Sequence, residues 1–394
     1  MHVFPRLKPA RWLGLICGAF LAANAVAVEW TLHRFEGREY ISLDNIAEFY
    51  GLPKPPPIIL ATPLTTPAPS VPAPATASRE DVPGPISTPE PPPATPTSKT
   101  IALDSGDLQL EVTVGLREMH INGVKHWLAF PALLQEGKAF ISRLDLSKII
   151  EPRLRPEMIP GVQAFTTVVL DPGHGGHDRG AISKFGFEKD FALDVALRAR
   201  KLLESHGYKV VMTRSTDVFI PLEQRPAVAN NIANSIFVSI HFNSSTSNAD
   251  ARGFEIFSMA PRGAPVTNDS RPSERDLRAE PGNGVDLPSS ALAGSVYHAL
   301  LGHVPMLDRG IKHARFAVLR RCTVPAVLVE CGFVSNQAES TLISSSAWRS
   351  SVAEAIVDGV ENYKMLAEKK SRPKVIADYR RAAAAAESSP DGSR

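Results

Sequence analysis

Between residues 162 and 366 the chain alternates short, almost wholly apolar runs with longer amphipathic stretches, and this alternation restricts the fold more than any other feature. TTVVL (166–170), YKVVM (208–212), SIFVSI (235–240), GFEIFSM (253–259) and PAVLVE (325–330) predict strands. Between the first two, Ala192, Val195, Ala196, Ala199, Leu202 and Leu203 recur at helical spacing, with Gly207 placed as a C-terminal cap. Further helices are predicted near 222–234, 289–302 and 346–366. The fold class that follows is α/β, a mostly parallel twisted sheet flanked by helices. Residues 367–394, charged and alanine-rich, read as a flexible tail.

The chain before residue 162 divides by composition. Arg6, Lys8 and Arg11 precede the apolar run WLGLICGAFLAANAVA, which ends in small-x-small, so residues 1–27 predict a secretory signal peptide cleaved after Ala27. That run is shorter than the ~20 residues of a spanning helix, so no stable membrane span is expected after cleavage. The bulky Ile16 before Cys17 argues against a lipoprotein. From Pro53 to Thr100 the chain holds 16 of its 34 prolines and no aromatic residue, the composition of a disordered linker or insertion. The segments on either side echo one another, GREYISLDNIAEFYGL (37–52) and GKAFISRLDLSKIIEP (137–152), each reading as a strand followed by a short amphipathic helix. Together with the strand patterns LQLEVTV and REMHING, residues 28–52 and 101–158 predict one small α+β module interrupted by the proline-rich insertion.

With 43 basic against 41 acidic side chains the formal charge is +2, which offers no broad field for nucleic acid. After signal removal Cys322 and Cys331 remain; they flank a strand-like run about 30 Å long when extended, so both read as buried thiols rather than a disulfide.

The chemistry concentrates at strand ends. His174 in DPGHGGHDRGA follows TTVVL, and His241 in SIHFN follows SIFVSI. Ligands of open α/β sheets bind beyond the carboxyl ends of the strands, so two histidines leaving such ends can converge across the 67 positions between them. Glu188 opens the amphipathic helix, and Glu330 closes a very apolar strand, where a carboxylate is costly unless paired or metal-bound. Two histidines and two glutamates supply both a catalytic zinc site and a base, although spacing does not decide which glutamate binds metal and which moves protons. No GxSxG elbow points to a serine nucleophile.

The ordered set DPGHGGHDRGAISKFGFEKD, TRSTDVFIPLEQR, SIHFNS, ARGFEIFS and DRGIKHARFAVLRRCTVPAVLVECGFVSN resembles the zinc-dependent N-acetylmuramoyl-L-alanine amidases over about 200 residues. The resemblance implies one Zn2+ per catalytic domain, held by His174, Glu188 and His241, with Glu330 as the catalytic acid/base. It implies peptidoglycan as substrate, a periplasmic or secreted location, and a protein activator as a partner that such enzymes can require. His177 departs from the pattern and reads as an exposed loop residue rather than a fourth ligand. Arg214, Arg225, Asn243 and Lys312 are candidates to shape the groove or bind peptide carboxylates, with salt bridging or turn formation as the equal alternative. Some family members carry an inserted helix that occludes the metal; the corresponding segment here, 261–289, has no apolar periodicity and is expected to be a substrate-side loop without a metal-liganding Glu274 or Glu280. The N-terminal pattern resembles the copper-amine-oxidase-like module found beside some cell-wall hydrolases and implies no copper chemistry. Two other readings are a zinc peptidase acting inside the stem peptide and a wall-binding protein without activity; the second would be expected to lack one of the four residues, and all are present.

Overall fold

The computed structural model describes residues 29–56, 99–106, 108–368 and 372–388. The predicted signal peptide, most of the proline-rich segment and the last six residues lie outside these ranges. No described helix is long and apolar enough to cross a membrane.

A ten-stranded sheet organises the molecule. Its strands in chain order are β1 (Thr100–Asp104), β2 (Gln109–Thr113), β3 (Glu118–Ile121), β4 (Val124–Trp127), β5 (Thr167–Pro172), β6 (Lys209–Met212), β7 (Ser235–Asn243), β8 (Phe254–Met259), β9 (Asp308–Ala314) and β10 (Ala326–Phe333). Their spatial order is β6-β5-β7-β10-β8-β9-β4-β3-β2-β1. β6, β5, β7 and β10 run parallel, β8 is antiparallel to β10, and β9 is parallel to β8. Every residue of β5, β7 and β10 is buried, which is why these strands read as unbroken apolar runs.

Helices α1 (Glu188–Ser205), α2 (Asp286–His303) and α3 (Ser346–Ala367) cover one face. Val168, Leu170, Val238, Ile240 and Val329 point into that layer, against Ala192, Ala199, Val296 and Ile356. Their alternates Val169, Phe237 and Leu328 pack on the other face with Ala229, Val318 and Cys322. Cys322 and Cys331 are free and buried, as thiols at the two ends of β10 should be.

The N-terminal residues are joined to this sheet rather than set apart from it. β4 pairs with β9 through Ile311 and His126, and the antiparallel meander β4-β3-β2-β1 carries the sheet onward. A second sheet of four strands, Leu32–Phe35, Arg38–Ser42, Lys138–Ser142 and Leu133–Gln135, packs on the meander. The two sequence echoes are its strand-helix units, and in each a serine caps the helix: Ser42 accepts from the N–H of Asn45, and Ser142 from that of Asp145. Ile41, Leu43 and Ile46 share one core with Ile101, Val112, Ile121 and Ile149.

The C-terminal segment departs from the reading as a flexible tail. Residues Ile376–Ser388 form a helix, Ile376 and Tyr379 are buried, and the Ile376 N–H donates to Nδ1 of His298 on α2 at 3.1 Å. Alanine-rich composition hid the two apolar anchors that dock it.

Three histidines, His126, His298 and His313, are buried where the meander, β9 and α2 meet. Burial, assisted by the charge of Arg153, holds the imidazoles of His298 and His313 down to about 3. Below the unfolded value near 6.5 the unfolded chain therefore takes up protons that the native state refuses, so stability present above pH 6.5 is lost as pH falls toward 3. Each histidine should cost about 1.4 kcal/mol per pH unit in that window. The urea midpoint is expected to drop clearly between pH 7 and pH 5, and less steeply in His298→Gln; equal midpoints at the two pH values would contradict this.

Candidate metal centre

His174, Glu188 and His241 converge although they come from a loop, a helix start and a strand. The two histidines leave neighbouring strands, β5 and β7, while Glu188 is the first residue of α1. Their ligand atoms all lie within 4.8 Å of one another, and all three residues are buried. Oε1 of Glu188 is 3.1 Å from Nε2 of His174 and 3.0 Å from Nδ1 of His241. Two glycines make the approach feasible. A Cβ on Gly173 would sit 2.3 Å from the His241 ring, and one on Gly180 would sit 2.6 Å from the Glu188 carboxylate.

Each ligand is oriented from behind. Nδ1 of His174 meets Asp178 at 2.8 Å, which directs Nε2 toward Glu188. Oε2 of Glu188 accepts from the Ala181 N–H at 2.8 Å. Burial opposes charge on Glu188, but its bonds to His174 and His241 outweigh it and hold the carboxyl well below its ordinary range. For His174, burial is overcome by the carboxylates of Asp178 and Glu188, which raise it to about 10. His241 is lowered by burial. Two imidazole nitrogens and a carboxylate oxygen, oriented by outer partners, are a donor set that fits a divalent metal ion.

Glu330 stands beside this group on β10, in register with His241. Its Oε2 is buried and makes no hydrogen bond among the described residues. Burial, then the charges of Glu188 and Glu255, push its carboxyl well above the usual range. Glu255 on β8 faces it across the sheet and is paired with Arg309 and, at 2.9 Å, with Nζ of Lys312.

The other candidates take the second of the two roles that the sequence left open, turn formation and salt bridging. Arg214 donates to the carbonyls of Pro172, Gly173, Lys189 and Thr216. Arg225 donates to those of Ile220, Pro172 and His174, and pairs with the buried Asp171 at 2.9 Å. Both guanidinium groups are spent on backbone and are not presented to peptide carboxylates. Instead they clamp the 172–174 turn, in which His174 itself has φ 58°. Lys312 is likewise buried against Glu255 rather than open to the groove. Asn243 is buried next to the site; its Oδ1 accepts from Ser244 and its Nδ2 has no protein partner among the described residues. Glu274 opens the 3-10 turn Glu274–Leu277 and Glu280 caps the 3-10 turn Pro281–Val285, and neither joins the His-Glu-His group.

Asp171, Asp178 and Glu255 escaped the sequence reading. Asp178 carried a usable signal, since it falls four residues after His174 in the same motif. Asp171, which also accepts from Thr213 at 2.6 Å and Ser239 at 2.7 Å, carried none beyond its place at a strand end.

A buried α/β strand-end site with two histidines, a carboxylate and a second, unpaired acid defines a class, the metal-assisted hydrolases. Residues 168–362 match the family model described as N-acetylmuramoyl-L-alanine amidase. Over 218 residues the chain is 36% identical to the N-acetylmuramoyl-L-alanine amidase AmiA of Escherichia coli K12, covering 50% of this chain and 75% of that one. It is also 36% identical over 217 residues to AmiC of Neisseria meningitidis serogroup B, covering 50% of this chain and 52% of that protein. Among solved structures it is similar to the catalytic domain of the amidase CwlV from Bacillus (Paenibacillus) polymyxa var. colistinus, with 32% identity, TM-score 0.42, and 50% and 98% of the two chains covered. The chain belongs to the N-acetylmuramoyl-L-alanine amidase family, which hydrolyses the amide joining N-acetylmuramic acid to L-alanine in peptidoglycan.

Replacing Arg225 with Met should leave Asp171 charged and unpaired in the core, at a cost of about 3–5 kcal/mol. Urea unfolding at pH 7 measures this; a loss under about 1 kcal/mol would mean that the pair does not brace the turn.

Proposed function

We propose that the protein is a zinc amidase acting on peptidoglycan in the periplasm or outside the cell, with His174, Glu188 and His241 as the metal ligands and Glu330 as the acid/base. The observation that carries this reading is the pairing of a converged His-Glu-His group with a buried carboxylate oxygen that has no hydrogen-bond partner among the described residues. Nitrogen and oxygen donors of this kind suit zinc. When bound, the metal supplies Lewis acidity toward a carbonyl oxygen and toward water.

The protein's own residues perform the rest. Asp178 fixes the tautomer of His174, and the Ala181 N–H fixes the rotamer of Glu188, so the ligands need no rearrangement to engage. Glu330 takes a proton from the attacking water on its free oxygen and returns it to the departing alanine nitrogen, so the amide breaks without a covalent enzyme intermediate. The rigid strands β7 and β10 hold that carboxylate in register with His241 throughout. Within residues 261–285 the described structure contains 3-10 turns and no α-helix, which supports a site that is not occluded by an inserted helix. A protein activator would then act on something other than such a helix. The predicted signal peptide supports export, and the substrate lies outside the cytoplasm.

Purified sacculi incubated with the full zinc-loaded chain should release peptides beginning with L-alanine. Chelation should abolish release, and Glu330→Gln should slow it by about 10²–10⁴-fold with metal content unchanged. Peptides beginning at another residue would replace the amidase reading with a peptidase, and full activity of Glu330→Gln would remove Glu330 from its role.

A further inference from the structure

The cavity in front of the metal group has one wall that the mechanism does not use. About 370 Å³ in volume, it is lined by His174 and His241 on the metal side and by His177, Phe219, Leu222 and Val318 beyond them. His177 and Phe219 come from different loops, yet their rings pack at a centroid distance of 4.3 Å, and Phe219 remains 39% exposed. An exposed phenylalanine packed at a tilt of 40° against an exposed histidine at the mouth of the cavity has no folding purpose evident in its packing.

The two loops are locked together. The Gly176 N–H donates to Asp217 at 2.8 Å, and Nζ of Lys189 bridges Asp217 and the Gly176 carbonyl at 2.5 and 2.8 Å. A Cβ on Gly175 would lie 2.1 Å from the Val218 carbonyl, and one on Gly176 would lie 2.8 Å from the Phe219 nitrogen. The backbones therefore touch, and the aromatic pair is held in place before any ligand arrives. Such preorganisation is what a binding wall requires.

The wall is also without free cations. Arg225 lines the cavity, but its donors go to Asp171 and to backbone carbonyls. Asp178, the remaining charged side chain of the lining, is held by His174. A stem peptide brings carboxylates that would find no counter-charge here. The muramyl sugar brings an uncharged ring with an apolar face, which an aromatic surface accepts.

Resting on the amidase reading, we propose that His177 and Phe219 form the subsite for the muramyl sugar, and so determine that the enzyme engages the glycan side of the scissile amide through stacking. His177, an exposed loop residue in the sequence reading, is then a specificity residue of this chain. The subsite acts by binding alone and plays no part in proton transfer.

The test uses the full chain as Phe219→Ala, His177→Ala and Phe219→Tyr. Calorimetry measures the binding of two separate products, the N-acetylglucosaminyl-N-acetylmuramic acid disaccharide and the free stem peptide; kinetics on a soluble disaccharide-peptide supply KM and kcat. Loss of one stacking partner should weaken disaccharide binding about tenfold and raise KM about tenfold, with kcat changed less than about twofold and peptide binding unchanged. Phe219→Tyr, which keeps the ring, should restore both values. Unchanged disaccharide binding in Phe219→Ala, or loss of peptide binding in its place, overturns the subsite. Should the wild-type protein release no peptide but still bind the disaccharide more tightly than Phe219→Ala, the subsite stands and the amidase reading falls.

Discussion

The buried pair of Asp171 and Arg225 is the contact on which the metal centre depends. A carboxylate with no exposed surface at the end of a parallel strand would be intolerable alone, and its partner is equally buried. Together they satisfy one another and leave the remaining guanidinium donors aimed at the carbonyls of Pro172 and His174. Arg214 closes the same turn from the other side through Pro172 and Gly173. Two arginines on two other segments thus brace a histidine in the left-handed conformation, which is uncommon for a residue other than glycine. The strain is repaid in position, because the imidazole is delivered to Glu188 and His241 without a flexible approach.

The sheet supplies the second half of the arrangement. β5, β7 and β10 are adjacent and parallel, so their carboxyl ends open on one side of the molecule. His174, His241 and Glu330 each belong to one of these ends, and α1 begins close enough to add Glu188. The His-Glu-His group and the buried Glu330 carboxylate are then neighbours by hydrogen-bonding register.

Much of this was legible in the sequence. The strand runs, the three long helices and the four chemical residues each carried a local signal: apolar continuity, helical spacing, or a polar side chain at a strand end. For Arg214, Arg225 and Lys312 the sequence left groove shaping and salt bridging or turn formation side by side, because an arginine or lysine near a site motif looks the same whether it faces a ligand or a carbonyl; only the three-dimensional placement of its acceptors distinguishes them. β9 was missed because its run DRGIKHA is polar, although five of its seven residues are buried, Lys312 among them against Glu255. The packing of His177 against Phe219 was invisible for a related reason, since 42 positions separate two rings that share one contact.

The segments before and after the proline-rich stretch meet in a single core, with Ile41 and Leu52 packed beside Ile101 and Val112. Residues 57–98 therefore begin and end on the same folded body, which makes them a loop in the topological sense and not a leash between two bodies. Cutting such a loop would not set its flanks free, because the core still holds them. A cut between the two flanks thus leaves the core that joins them, and the sheet behind it, in place.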